Sequence, residues 1–102
     1  MLRVLIKKKN NEFDKINLLG HADYSEYGSD IVCSSASSIM ITTVNAIMMF
    51  DKTYITYEQK KDAFLIKINK NNEIVNNLIK NMINMFKELS NDYPENIKIE
   101  EE

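Results

Sequence analysis

From Ile31 to Phe50 the chain runs twenty residues without a charged side chain. That length is enough to raise a membrane span. Seven of the twenty are serine, threonine or asparagine, so the run reads instead as a buried central helix. Ser29 or Asp30 supplies an N-cap. Val32, Ala36, Ile39, Met40, Val44, Ile47 and Met48 then recur at helical spacing as a wide apolar stripe. The many β-branched residues are poor helix formers, so tertiary burial must hold this helix.

The other elements arrange around it. Met1 to Lys7 puts Leu2, Val4 and Ile6 on one side of a strand, Lys8 to Asn11 is a polar turn, and Phe13 to Leu19 returns as the second arm of a hairpin. Beyond the helix, Thr53–Tyr57 and Ala63–Ile68 read as strands around a charged turn, Glu58–Asp62, with Phe64, Ile66 and Ile68 sharing a face. Asn71-Asn72 leads into a second helix, Glu73–Leu89, whose stripe is Ile74, Leu78, Met82, Met85, Phe86 and Leu89. Asn96–Glu100 is a last short strand. The order ββαββαβ predicts an α+β fold, a small mostly antiparallel sheet packed with two helices. At 102 residues the chain forms one domain, 1–102, with one modest core. Met40, Met48, Met49, Met82 and Met85 read as core filler.

A formal net charge of −2 argues against a broad electrostatic footprint for nucleic acid, and no direct nucleic-acid partner is expected. One cysteine excludes an internal disulfide, and the apolar start closes on lysines too early for a signal core. Both point to a reducing, cytoplasmic setting without a membrane span.

The chemistry concentrates between Gly20 and Cys33. This window holds the single histidine, the single cysteine and both glycines of the protein. His21 follows one apolar run and Cys33 opens another, twelve residues on. Gly20 and Gly28 read as hinges for the loop between them, Ala22–Tyr27, which would close over a bound peptide. A thiol attacks as thiolate, and at an ordinary pKa near 8.5 only about 3% is ionised at pH 7. The start of a helix favours an anion at Cys33 by about 0.3–1 kcal/mol, less than one pKa unit. A neighbouring imidazolium contributes more, so His21 is the deciding partner. It would later hand its proton to a leaving amine. The amide of Cys33 and a neighbouring amide are expected to stabilise an oxyanion.

Blander readings compete. A lone cysteine is more often an inert core thiol, and Asp30 reads first as a cap. Ser34-Ser35 and Ser37-Ser38 read as helix-surface or packing residues, because no second base exists to activate them. One histidine and one cysteine do not make a zinc site, no Gly-rich phosphate loop is present, and no metal or cofactor is expected. Asp30 is the nearby candidate to orient His21.

Gly20-His21-Ala22, then Gly28-x-Asp30-Ile31-Val32-Cys33, then Ser37 closely resembles the bacterial ribosomal-processing cysteine protease family, Prp. The resemblance extends over nearly the whole chain, to the late Tyr93-Pro94 and the Ile97-Lys98-Ile99 strand. It implies a His–Cys dyad carried onto His21 and Cys33, supporting roles for Asp30 and Ser37, and a mobile loop over Ala22–Tyr27. It also implies a homodimer that cleaves the short N-terminal extension of the precursor of ribosomal protein L twenty-seven. Tyr24 and Tyr27 are then candidate contacts for that peptide. The chain departs from the family at Ser34-Ser35, where small apolar residues such as alanine are usual. The alternatives are a non-catalytic dimeric module that binds ribosomal components, which has no need of His21 and Cys33, and a redox-sensing thiol.

Overall fold

The computed structural model describes residues 1–21 and 30–102. Strands β1 (Leu2–Lys9) and β2 (Glu12–Leu19) form the opening hairpin. β1 runs two residues beyond the expected Lys7, so the turn is Asn10-Asn11 alone. Both asparagines have positive φ, 54° and 64°, as a tight hairpin turn that matches strand twist requires, and asparagine tolerates this backbone better than most residues. A bulge follows, where the register slips between Lys7 and Lys8.

Helix α1 spans Ile31–Phe50, the uncharged run and nothing more. Asp30 caps its start, and Asp51 ends it. Asp51 Oδ1 accepts hydrogen bonds from Thr53 N–H at 2.8 Å and Thr53 O–H at 2.6 Å. Those bonds hold the Asp51 carboxyl below its ordinary pKa. They also turn the chain, and β3 starts only at Ile55 instead of Thr53.

β3 (Ile55–Lys60) and β4 (Ala63–Ile68) pair antiparallel, with Lys60 opposite Ala63. The expected charged turn Glu58–Asp62 therefore shrinks to Lys61-Asp62. Glu58, Gln59 and Lys60 are strand residues because β3 is a sheet edge, where exposed polar side chains cost nothing.

Helix α2 (Glu73–Asp92) then crosses to β5 (Ile97–Glu101), which pairs parallel with β1. The five strands lie in the order β3-β4-β2-β1-β5. Arg3 on β1 grips Glu100 on β5 with two N–H donors, at 3.4 and 2.9 Å. That grip holds the Glu100 carboxyl below its ordinary range. The sheet is mixed and mostly antiparallel, and the fold is α+β as the element order implies.

The core lies between one sheet face and the helices. Leu2, Val4, Ile6, Ile16, Leu18, Phe64, Ile66 and Ile68 are buried on the sheet side. On α1 the expected stripe is buried from Val32 to Ile47, Met48 is half-buried against it, and Thr43 joins it by donating its hydroxyl to Ile39 O at 2.8 Å. On α2 the buried face is Val75, Ile79, Met82, Ile83 and Phe86. Ile74 and Met85 are exposed, and Leu78 and Leu89 are only half-buried. α2 has two adjacent apolar stripes. The branched one, Val75-Ile79-Ile83, is buried, and α2 packs against α1 and β5. Met49, read as core filler, is 88% exposed.

Candidate active site

The site forms where two strand ends meet. β2 leaves the sheet at Leu19, which pairs with Ala63 at the start of β4. One residue further, Gly20 N–H donates to the Asp62 carbonyl at 2.9 Å. Gly20 has φ +86°, and a Cβ built there would lie 2.8 Å from the carbonyl oxygen of Met1. The position is a tight corner that only glycine fits. Gly20→Ala is expected to destabilise by about 2 kcal/mol or more, combining left-handed strain with a backbone clash. Thermal unfolding by circular dichroism measures it, as a melting temperature lower by about 8 °C or more.

That corner delivers His21 to the turn between β3 and β4. His21 Nε2 lies 2.6 Å from Asp62 Oδ1, with both side chains more than half exposed. Facing them is the start of α1. Asp30 Oδ1 accepts the N–H groups of Val32 and Cys33, each at 3.0 Å. Cys33 therefore sits in the first turn, half-buried, at the positive end of a helix with no acidic residue in that turn. Ser37 follows one turn later.

His21, Cys33, Ser37 and Asp62 line one cleft of about 180 Å³, floored by Leu18 and Phe64. The sequence-derived pair thus converges, and Ser37 joins it. Two expectations change. The Cys33 amide, assigned to an oxyanion, is taken by Asp30. The carboxylate on His21 is Asp62 and not Asp30, which is engaged with the cap. Nothing in the sequence pattern marks Asp62, because only the register of β2 on β4 brings it to His21. Ser34 donates its hydroxyl to the carbonyls of Asp30 and Ile31, each at 3.2 Å, and so acts on its own helix. Gly28, Tyr24, Tyr27 and the loop Ala22–Tyr27 lie outside the described residues. Among the described residues no group of three metal-ligating side chains forms.

A family model described as "Cysteine protease Prp" matches residues 1–98. The chain belongs to the Prp family of cysteine proteases. The Prp ribosomal processing cysteine protease of Staphylococcus aureus is 34% identical over 83 residues, 78% of either chain. Two crystal structures of the S. aureus Prp protease share the whole fold, each covering 100% of both chains. One, with a covalently linked product peptide, matches at a TM-score of 0.91 and 27% identity. The other, with a substrate peptide, matches at 0.87 and 26% identity. A Prp-family chain with this fold is a peptide-bond hydrolase that works through a cysteine.

Proposed function

We propose that this protein is a cytoplasmic endopeptidase that removes a short N-terminal extension from the precursor of ribosomal protein L twenty-seven. Cys33 is its nucleophile and His21 its base. The observation that carries this reading is the convergence of the single thiol and the single imidazole on one cleft, in a fold whose S. aureus relative is seen with substrate and product peptides.

In this mechanism His21 takes the thiol proton and Cys33 Sγ attacks the scissile carbonyl. The C–N bond breaks as His21 protonates the leaving amine, leaving a thioester on Cys33. Water, deprotonated by His21, then hydrolyses the thioester and frees the thiol. Asp30 supports the site by fixing the first turn of α1. Ser37 supports it by presenting a hydroxyl to the cleft beside Cys33.

The same reading includes a homodimer. Ile31, Ile41, Met49 and Phe50 on α1, with Ile74 and Met85 on α2, are exposed apolar side chains that a second copy would cover.

The test is the pH dependence of Cys33 alkylation by iodoacetamide, in wild type and His21→Ala. The expected result is a fast reaction persisting well below pH 8 in wild type and lost in the variant. A single inflection near the ordinary thiol value of about 8.5 in both proteins counts against the dyad.

A further inference from the structure

An imidazole has two ring nitrogens, and only one can take the proton of Cys33. His21 Nε2 lies 2.6 Å from Asp62 Oδ1, the length of a short charge-assisted hydrogen bond. We propose that Asp62 is a positioning residue of this site: its carboxylate holds the Nε2–H of His21 and so presents Nδ1 to the Cys33 thiol. The proposal rests on the His21–Cys33 reading above.

The backbone makes this contact more than a chance meeting of surface side chains. Leu19 pairs with Ala63, and the next rung is the Gly20 N–H to Asp62 carbonyl bond at 2.9 Å. The exit of β2 and the β3–β4 turn are therefore tied one residue from the His21–Asp62 contact. Gly20, cramped against Met1, narrows the direction in which His21 can leave. Among the described residues, Asp30 is the carboxylate at the start of α1, and its Oδ1 is committed to two amides of that helix. Of the lysines that line the cleft beside Asp62, Lys60 pairs with Glu58 at 3.2 Å.

A contact this exposed contributes little to folding. Its value lies in fixing a tautomer and a ring rotation. With Nε2 protonated and held, the Nδ1 lone pair accepts the thiol proton. The resulting imidazolium later gives that proton, from Nδ1, to the leaving amine.

The experiment uses the full chain as wild type, Asp62→Ala, Asp62→Asn and His21→Ala. Because the protein has one histidine, its ring nitrogens give a single pair of ¹⁵N signals. At a pH where the ring is neutral, wild type is expected to show one tautomer, protonated at Nε2, and Asp62→Ala a mixture. Because it has one cysteine, iodoacetamide consumption at pH 6 reads the same site. Asp62→Ala is expected to react about tenfold more slowly than wild type. Asp62→Asn, whose side-chain carbonyl still accepts from Nε2–H, is expected within about threefold of wild type. Both Asp62 variants and His21→Ala should melt with wild type. Wild-type reactivity and unchanged ring signals in Asp62→Ala, with His21→Ala slow, overturn this proposal alone. Wild-type reactivity in His21→Ala overturns the dyad, and Asp62 with it.

Discussion

Cys33→Ala is expected to abolish peptide hydrolysis while the protein stays folded. The chain has no other thiol, so no residue can take over the nucleophilic step. Ser37 shares the cleft, but a hydroxyl ionises far less readily than a thiol, and the proposed dyad has a single base, matched to the thiol. The expected loss is at least about a thousandfold in turnover of a peptide bearing the precursor extension, followed by mass spectrometry. The structural cost is small. Cys33 is half-buried, and its backbone N–H to Asp30 is kept by alanine at that position. The melting temperature should move by less than about 8 °C, as for an ordinary substitution of about 1 kcal/mol or less. Binding should survive, since the removed sulfur acts in the transition state more than in holding the peptide. Residual turnover near wild type would remove Cys33 from the chemistry.

The parts of this molecule that were legible in the sequence are those where one physical demand acts alone. The run from Ile31 to Phe50 is bracketed by Asp30 and Asp51, and α1 occupies those bounds without a residue to spare. Alternation in Leu2-Val4-Ile6 and Phe64-Ile66-Ile68 marks strands with one buried face, and those faces are the core. Where two demands overlap, the pattern misleads. β3 carries Glu58, Gln59 and Lys60 because an edge strand need not alternate. α2 offers apolar residues on two adjacent stripes, and its contacts with α1 and β5 decide which is inside. The candidate site divides the same way. His21 and Cys33 stand out as unique, reactive and near in sequence. Asp62 reaches His21 only through the pairing of Leu19 with Ala63, which is long-range information that no local motif carries. The amide of Cys33 looked available for an oxyanion because helix starts leave donors unsatisfied. Asp30, the cap that starts the helix, also uses that donor.

Phe86→Ala should have the opposite signature, a large loss of stability with chemistry preserved. Phe86 is 0% exposed and is the largest fully buried side chain among the described residues. It lies on the inward stripe of α2 beside Met82 and Ile83. Removing a buried phenyl ring forfeits its transfer free energy and leaves a cavity, together about 3–5 kcal/mol. A domain of this size has roughly 5–15 kcal/mol in total. The melting temperature should therefore drop by more than about 12 °C, at about 4–8 °C for each kcal/mol. Phe86→Leu, which refills much of the volume, should recover over half of that drop. Among the described residues none of the cleft-lining side chains belongs to α2. Well below its melting temperature Phe86→Ala should consequently alkylate and turn over at close to the wild-type rate. The α2 layer then acts as support for the sheet, and the sheet carries the rung between Gly20 and Asp62. A loss of reactivity in Phe86→Ala at low temperature, with the fold intact, would mean that the packing of α2 also sets the geometry of His21 and Cys33.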